Sequence, residues 1–294
     1  MGDAGDPAAR HHAEEPGELT APAAPAVALT IAGSDSSGGA GIQADLKTFT
    51  VLGVYGASAI TALTVQNTTG VSGVHTVPAD LVAAQIAAVA DDLTVMASKI
   101  GMLANAEIIT AVASAIETHR LHPIILDPVM IATSGDRLLA PDAISALRTD
   151  LIPRVDLLTP NLLEAADLLG EPPATRPAEV EDQGRRLLQL GCGAVLIKGG
   201  HGTGDTAIDL LIDHDGAQAF ERPRIATPNT HGTGCTLSAA IAAYLALGDD
   251  LSTAVARAKN FVWNALNSAA DQRIGHGSGP VDHLYVLSKT SKPD

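Results

Sequence analysis

The chain has 294 residues, 46% of them hydrophobic, and a formal net charge of −15. This length suits one large domain with a sizeable core. A negative field of that size repels nucleic acid and anionic lipid, and aromatic residues, at 2%, are too few for platforms that stack single-stranded bases. Nucleic-acid and membrane partners are therefore excluded, and any phosphate must be held by backbone N–H groups, a lysine or a metal ion.

The first segment, residues 1–26, is rich in alanine, proline, glycine and acidic residues and has few large apolar ones. This composition predicts a disordered tail. It lacks the basic and apolar stretches of a signal peptide, and no apolar run in the chain approaches the roughly 20 residues that span a bilayer. The only cysteines, Cys192 and Cys235, cannot form a disulfide framework or a metal cluster, which favours a reducing, cytoplasmic location.

From residue 27 onward, short apolar runs alternate with amphipathic ones. The predicted strands are Val27–Ala32, Ala57–Val65, Pro123–Leu126, Leu157–Thr159 and Ala194–Ile197. The predicted helices are Gly41–Leu52, Pro78–Ala90, Ala106–His119, Asn161–Leu169, Val180–Leu190, Thr233–Leu247 and Leu251–Ala270. This alternation predicts an α/β domain over residues 27–288, with a mainly parallel sheet covered by helices and a short tail at 289–294. The segment Ala207–Arg224 is typical of a β-hairpin instead.

A first glycine-rich turn, Gly33–Gly41, joins the first strand to the first helix. It contains the G-x-G-x-x-[GA] spacing of dinucleotide-binding proteins. That fingerprint also needs an acidic residue about 20 positions further on, to bind a ribose hydroxyl. No Asp or Glu occurs between Asp45 and Asp80, so the sequence argues against a dehydrogenase.

Two polar residues after this turn, Asp45 and Gln66, stand next to apolar segments. Asp45 lies beside the apolar face formed by Ile42 and Phe49, where a carboxylate is costly unless it is satisfied. Either it has a partner in the core, or it points into a ligand pocket at the carboxyl edge of the sheet. Gln66 follows an apolar strand and occupies a similar strand-end position, although a lone glutamine there is usually a surface loop residue.

A second glycine-rich turn, Asn229–Thr236, leads into an amphipathic helix. Gly232, Thr233 and Gly234 can direct backbone N–H groups toward one point, where the helix dipole adds positive charge. The turn is not a P-loop, because no Gly-Lys pair occurs in the chain. Cys235 falls in the first helical turn, which predicts a lowered thiol pKa; an inert buried cysteine is the alternative.

Four further polar residues stand at strand and helix ends. Asp127 ends an apolar strand, and Lys198 ends another and could reach a phosphate. Asn161 and Glu164 open a helix, which fits a capping box and metal binding equally well. Oxygen ligands at such ends suit Mg²⁺, which keeps several waters and uses one or two carboxylates.

Together, these segments resemble the hydroxymethylpyrimidine/phosphomethylpyrimidine kinases of thiamine biosynthesis, a branch of the ribokinase-like superfamily. The match runs from Val27 to about Leu284, and its most specific strings are Ser37–Phe49, Gln66–Thr68, Lys99–Leu103, Leu126–Met130, Thr159–Leu162, Lys198–His201 and Asn229–Ser238. The resemblance implies a three-layer ribokinase-like α/β fold with a mostly parallel central sheet, usually assembled as a homodimer. It also implies two phosphoryl transfers from ATP, which convert 4-amino-5-hydroxymethyl-2-methylpyrimidine to its monophosphate and then its diphosphate.

The resemblance also implies roles for single residues. The pyrimidine side would comprise Asp45 and Gln66, with Gly33 and Met102 nearby. The phosphate side would comprise Asp127 and Glu164 at the Mg²⁺, Asn161 near the phosphates, Lys198 against the transferring charge, and Gly232, Thr233 and Gly234 as the anion hole. Cys235 would activate the attacking oxygen.

Two positions differ from the residue that many members of this family have, and a third distinguishes the family from sugar kinases. Ser36 stands where many members have proline, and Thr133 where many have lysine, which could alter phosphate contacts in the second transfer. Many sugar kinases of the superfamily have aspartate where this chain has Cys235, which argues against a sugar substrate. The alternatives are a pyridoxal kinase of the same fold and a non-catalytic nucleotide-binding regulator, which would not need the combination of Lys198, the anion hole and Cys235.

Overall fold

The architecture was obtained from a computed structural model, which describes residues 1, 24–131, 138–140, 142–200 and 204–288. Its strands are β1 (Val27–Asp35), β2 (Tyr55–Asn67), β3 (Gly70–Thr76), β4 (Val95–Ile100), β5 (Ile124–Leu126), β6 (Leu157–Leu158), β7 (Ala194–Ile197), β8 (Thr206–Ile212) and β9 (Ala217–Pro223). Within the described ranges they form one nine-stranded sheet in the order β3-β2-β1-β4-β5-β6-β7-β8-β9. The six central strands of this order are parallel to one another: β2, β1, β4, β5, β6 and β7. The other three, β3 at one edge and β8 and β9 at the other, pair antiparallel.

Helices cover both faces of the sheet. They are α1 (Gly41–Val51), α2 (Ala79–Ala90), α3 (Ala106–His119), α4 (Ala143–Ala146), α5 (Leu162–Leu169), α6 (Pro177–Leu188), α7 (Thr233–Ala246), α8 (Leu251–Ala269) and α9 (Tyr285–Ser288). One core joins the sheet to α2, α3, α5 and α6, and a second joins the opposite face to α1, α7 and α8. Neighbouring residues of β1 therefore point into different cores, Ala28 into the second and Leu29 into the first. This arrangement confirms the predicted three-layer ribokinase-like fold.

The central helix α7 is buried on almost all sides. Its residues from Ala239 to Ala243 have no exposed surface. Facing it, the sheet presents small side chains, Ala28, Ala97 and Ala194. Small residues on both surfaces let the helix lie close to the sheet. The sequence pattern had indicated a helix with a single buried stripe, whereas the structure buries nearly the whole of α7. This close packing fixes the N-terminus of α7 at the carboxyl edge of the sheet.

The strands and helices predicted from the sequence are all confirmed, with ends that shift by a few residues, and the hairpin is the β8–β9 pair. Four elements were missed, one of which is the four-residue helix α9. Strand β3 is a polar edge strand rich in glycine, β4 contains a lysine and a serine, and residues 143–154 combine α4 with a π-helical turn and a 3-10 turn. None of these carries the periodic apolar pattern on which the predictions relied.

Some predictions fall on residues that the structure does not describe. Thr133, residues 289–294 and most of the tail of residues 1–26 are among them, so their predicted roles stay predictions. Among the helices of the described segments, none is both long and apolar enough to cross a membrane.

Candidate active site

The carboxyl ends of the parallel strands bring most of the predicted site residues to one edge of the sheet. Gly33 lies near the end of β1, Gln66 lies near the end of β2, Met102 follows β4, Asp127 follows β5, and Lys198 follows β7. Ligands of open α/β sheets bind at this edge, because the loops there diverge to either face. The position of the second glycine-rich turn at the same edge completes the candidate active site.

The second turn starts α7 at a position where the backbone geometry requires a glycine. Gly232 is the N-cap, with a φ of 80°, and a Cβ on it would lie 1.9 Å from the Gly39 carbonyl oxygen. Two residues on, a Cβ on Gly234 would lie 3.4 Å from both Asp127 Oδ2 and Lys198 Nζ. The N-terminus of α7, an ordinary location for anions, therefore stands directly beside a lysine and a carboxylate.

We call Lys198, Asp127 and Glu164 the open cluster. Lys198 Nζ donates to Asp127 Oδ1 at 2.5 Å and lies 3.7 Å from Glu164 Oε2. Burial raises the pKa of the Glu164 carboxyl to about 7; Lys198 opposes this rise and Asp127 adds to it. Burial disfavours the charge on Lys198, but the two carboxylates outweigh it and raise the lysine pKa above its ordinary value. The Lys198 side chain keeps 12% of its surface exposed, so the cluster is accessible.

The predicted capping box at the start of α5 is present. Asn161 Oδ1 accepts from the Leu163 and Glu164 N–H groups at 2.9 Å, and Glu164 Oε2 accepts from the Asn161 N–H at 2.7 Å. A structural role for Asn161 and Glu164 is therefore confirmed. The phosphate role of Asn161 and the metal role of Glu164 stay predictions.

The open cluster fits a magnesium ion only as part of a shared coordination sphere. Within the described ranges, no group of three or more His, Cys, Asp or Glu side chains is placed to hold a metal ion alone. Asp127 and Glu164 still offer hard carboxylate oxygens next to the N-terminus of α7. Two carboxylates, completed by water and substrate phosphates, are the donors that Mg²⁺ commonly takes.

A second acid–lysine group, which we call the sealed cluster, comprises Asp45, Lys99 and Thr30. Lys99 Nζ donates to Asp45 Oδ1 at 2.9 Å and Oδ2 at 2.8 Å, and Thr30 Oγ1 donates to Oδ2 at 2.6 Å. All three residues are completely buried. Burial raises the pKa of Asp45 against the influence of Lys99, while Asp45 raises the pKa of Lys99 although burial opposes it. Two bonds from the same ammonium group therefore tie the buried lysine to both oxygens of the carboxylate.

The sealed cluster decides between the two interpretations of Asp45. Its carboxylate has a partner in the core and no exposed surface, so the structure does not present it to a pocket. Direct contact between Asp45 and a substrate stays a prediction. The sequence had flagged Asp45 but not Lys99. A lysine inside a buried strand is rare unless it is paired, and that signal in β4 could have identified the partner.

Cys235 lies between the two clusters, and its expected acidity is wrong. Burial raises its pKa to about 11; Asp45 and Asp127 add to this rise, while Lys99 and a bond from the Gly41 N–H oppose it. A helix N-terminus does lower thiol pKa values in solvent-exposed positions. Here the loss of water and two nearby carboxylates outweigh the helix. The thiol is free and half-buried.

The pyrimidine-side residues lie together around β1, β2 and β4. A Cβ on Gly33 would lie 3.1 Å from Met102 Sδ, so these two residues are adjacent as predicted. Gln66 is half-buried, and its Oε1 accepts from Thr64 Oγ1 at 3.0 Å. It borders a cavity of about 230 Å³ whose lining is mainly polar: Gln66, Asn67, Thr68, Thr69, His231, Gly277 and Ser278.

The sequence analysis assigned no role to Asp35 or His231, which join the two glycine-rich turns. His231 Nε2 lies 2.8 Å from Asp35 Oδ2, and both side chains are buried. Burial alone would raise the pKa of Asp35, but bonds from His231, Ser37 and Ala40 lower it to about 2. Two polar residues in glycine-rich turns are common, so only the folded chain could reveal that they pair.

Comparison with known proteins places this geometry in context. Residues 35–282 match the family model described as phosphomethylpyrimidine kinase. A hydroxymethylpyrimidine/phosphomethylpyrimidine kinase of Escherichia coli (strain K12) is 52% identical over 259 residues, which cover 88% of this chain and 97% of that protein. The enzyme of the same name from Rhizobium meliloti (strain 1021) is 52% identical over 260 residues, with the same two coverages, 88% and 97%.

Solved structures give the same fold. A phosphomethylpyrimidine kinase of Clostridium difficile 630 has a TM-score of 0.73 at 42% identity, covering 82% of this chain and 99% of that chain. A Bacillus subtilis pyridoxal kinase in an ADP complex has a TM-score of 0.83 at 37% identity, covering 90% and 99%. The structural match alone thus includes kinases of two heterocycles, whereas the family model and the two curated relatives above carry the pyrimidine name.

Proposed function

The chain belongs to the phosphomethylpyrimidine kinase family, and from that membership we propose how its site performs the reaction. Its function is the ATP-dependent phosphorylation of the pyrimidine precursor of thiamine diphosphate. The first transfer acts on the hydroxymethyl group of 4-amino-5-hydroxymethyl-2-methylpyrimidine. The second acts on the resulting phosphate.

One observation supports the placement of the transferring phosphoryl group. The N-terminus of α7 faces Lys198 and Asp127, both 3.4 Å from the position of a Cβ on Gly234. Convergent N–H groups and a lysine act on the charge that develops at the phosphoryl oxygens. In phosphoryl transfer, positioning and charge stabilisation carry almost all of the catalysis. We assign the anion hole to Gly232, Thr233 and Gly234, and the neutralising charge to Lys198.

In the first transfer, the hydroxymethyl oxygen forms a bond to the γ-phosphorus of ATP while the bond from that phosphorus to the bridging oxygen of ADP breaks. The hydroxyl proton leaves to a base. The Mg²⁺ that accompanies ATP would neutralise phosphate charge, held by Asp127 and Glu164. Asn161 anchors the start of α5 beside these carboxylates through its capping box.

The pyrimidine is placed by Gln66, Gly33 and Met102 in this proposal. Gln66 offers an amide that can both donate and accept, which suits the polar edge of an aminopyrimidine. Gly33 lets Met102 Sδ pack closely against β1, and the proposal places the ring beside these two residues. Asp45 supports this site from the core, where Lys99 and Thr30 hold its oxygens in place.

Cys235 is proposed as the base, and its environment makes the proposal testable. Because the pKa of the thiol is about 11, the thiolate is a small fraction at neutral pH. We expect kcat for the first transfer to rise with pH when chemistry limits turnover. Cys235→Ala should remove that rise and lower kcat by roughly 10²–10⁴-fold. A folded Cys235→Ala enzyme with the parental pH profile would leave catalysis to Lys198 and the anion hole.

The substrate assignment is tested by measuring ATP consumption with hydroxymethylpyrimidine and with pyridoxal. The second candidate function, a pyridoxal kinase, is favoured by one observation, the likeness to the Bacillus subtilis structure. We expect the higher kcat/KM for the pyrimidine. Faster turnover of pyridoxal by the parent enzyme would overturn the assignment, and no turnover of either would favour the non-catalytic regulator.

The role of Gln66 is tested by a single variant. Gln66→Leu should lower kcat/KM for the pyrimidine far more than it weakens ATP binding, because a site built for hydrogen bonds is left with unpaired groups.

We further propose a cytoplasmic homodimer. Leu63 and Val65 alternate on β2 and are largely exposed, at 49% and 64% of their surface. Neighbouring apolar side chains on an exposed sheet face mark an interaction surface. Sedimentation analysis of the parent and of Leu63→Glu/Val65→Lys tests this assembly, since the dimer should become monomeric.

A further inference from the structure

The two glycine-rich turns touch through positions where a side chain would not fit. A Cβ on Gly39 would lie 2.3 Å from His231 Cδ2, and a Cβ on Gly232 would lie 1.9 Å from the Gly39 carbonyl oxygen. The first turn therefore rests directly against the residue that starts α7. In the proposed function, the first turn belongs to the pyrimidine side and the second to the phosphate side, so this contact lies where the two substrates must meet.

Asp35 organises the first turn around one carboxylate. Its Oδ1 accepts from the N–H and the hydroxyl of Ser37 at 2.8 Å, and its Oδ2 accepts from the N–H groups of Gly39 and Ala40 at 3.0 and 2.9 Å. The remaining bond comes from another part of the chain, the His231 ring, 196 residues away. The carboxylate is 3% exposed, so each of these bonds is made away from bulk water.

His231 is itself held on the phosphate side. Its backbone N–H donates to the Gly279 carbonyl at 3.0 Å, and it pairs with Pro280 in a short parallel bridge. It immediately precedes Gly232, the N-cap of α7. Its Nε2 also lies 3.5 Å from Gln66 Nε2. The ring thus spans from the anion turn to Asp35 and to the pyrimidine-side amide.

We propose that His231 is a positioning residue which, through its bond to Asp35, sets the separation between the pyrimidine-side turn and the anion turn. The inference rests on the proposed function and extends it to a residue that touches neither reacting atom. In this proposal, Nε2 of the ring donates to the Asp35 carboxylate, and the rigid ring acts as a spacer between the two turns.

A spacer should affect the chemical step more than the binding of either substrate. A displacement of about 1 Å between reactants can lower kcat by about 10²-fold. Each turn keeps its own contacts when the ring is lost, because Asp35 retains four bonds from Ser37, Gly39 and Ala40. We therefore expect kcat to fall while KM for ATP stays within about threefold of the parent value.

The experiment compares His231→Gln with His231→Asn. Both replacements are small, neutral amides. A glutamine nitrogen can reach the position of Nε2 and donate to Asp35, whereas an asparagine nitrogen stops short of it. We expect His231→Gln to keep kcat for the pyrimidine within about tenfold of the parent, and His231→Asn to fall roughly 10²-fold. Because both keep a polar side chain, the comparison does not depend on a variant that removes the ring altogether.

His283→Leu is the matched control for a purely structural effect. His283 is also buried, and its Nε2 lies 2.9 Å from Thr236 Oγ1 on the same helix, α7. This bond involves the last residue of the second turn and neither Asp35 nor any residue of the first turn. We expect His283→Leu to lower Tm at least as much as His231→Asn but to keep kcat within about threefold of the parent.

The outcomes separate the inference from the function on which it rests. Failure of the parent enzyme to phosphorylate the pyrimidine would sink the proposed function before any variant is made. In an active parent, equal kcat values for His231→Gln and His231→Asn would overturn the spacer role. So would a loss of kcat in His283→Leu as large as that in His231→Asn, because the effect would then follow stability alone.

Discussion

The two acid–lysine clusters of this protein lie at the same edge of one sheet and differ in their access to water. In the sealed cluster, Lys99 and Asp45 have no exposed surface and bind each other through both carboxylate oxygens. In the open cluster, Lys198 keeps 12% of its side chain exposed and stands between two carboxylates, Asp127 and Glu164. A lysine–carboxylate pair thus occurs once without any contact with water and once partly exposed to it.

The difference shows which pair can respond to a ligand. A sealed pair cannot lose one partner without leaving an uncompensated charge in a medium of low polarity, so it acts as a permanent part of the core. An open pair can exchange a carboxylate for a phosphate, because water and ligand reach the lysine. The raised pKa of Glu164, about 7, also lets that cluster take up a proton near neutral pH.

The largest effect is expected from breaking the sealed pair. Lys99→Met should destabilise the protein by about 3–5 kcal/mol, because Asp45 would remain buried without its counter-charge. Thermal unfolding should show a Tm lower by roughly 10 °C. The control, Lys99→Met/Asp45→Leu, should recover at least half of that loss. Equal Tm values for the single variant and the parent would mean that the pair is not sealed in solution.

Lys198→Met should separate the open cluster from the sealed one. Its loss should cost kcat roughly 10²–10³-fold, the usual effect of removing one group that stabilises developing charge. Tm should fall much less than in Lys99→Met, since Glu164 can take up a proton and the Lys198 position is partly exposed to water. Steady-state kinetics and thermal unfolding of the same preparation check both statements. A Tm loss as large as that of Lys99→Met, with kcat intact, would reverse the comparison.

Two buried threonines provide a matched pair of milder variants. Thr30 Oγ1 donates to Asp45 at 2.6 Å, whereas Thr159 Oγ1 lies 3.5 Å from Asp127 Oδ1. Thr30→Val should cost about 1.5–3 kcal/mol, the range for a bond to a charged group. Thr159→Val should cost less than about 1 kcal/mol, because the longer contact is weak. Urea unfolding gives both values, and equal losses would contradict the difference in how tightly the two acids are held.

The smallest effect concerns pH. The pKa of Glu164 is raised in the folded protein, so its protonated form stabilises the fold fully below the ordinary pKa of about 4.5, and that stabilisation is lost as pH rises toward 7. We expect the free energy of unfolding to fall by on the order of 1 kcal/mol more between pH 5 and 7 in the parent than in Glu164→Gln. Parallel slopes for the two proteins would show that the glutamate is ionised throughout this range.

Much of the fold and part of the site followed from local sequence. Alternating apolar runs identified five of the nine strands and seven helices, and the hairpin pattern identified two more strands, β8 and β9. The glycines at 232 and 234 marked the start of α7, and the Asn161–Glu164 spacing predicted a capping box that is present. These features depend on residues within a few positions of each other, so their patterns are visible in the chain itself.

Tertiary structure decided which polar groups meet and which of them stay in contact with water. Lys99 lies 54 residues from Asp45, and His231 lies 196 residues from Asp35; no local spacing encodes such pairs. The acidity of Cys235 was predicted with the wrong sign for the same reason. Its place at a helix N-terminus could be read from the sequence, but its pKa depends on burial and on carboxylates brought close by other strands. Local patterns determine elements and their ends, whereas electrostatic environments arise from the whole packed chain.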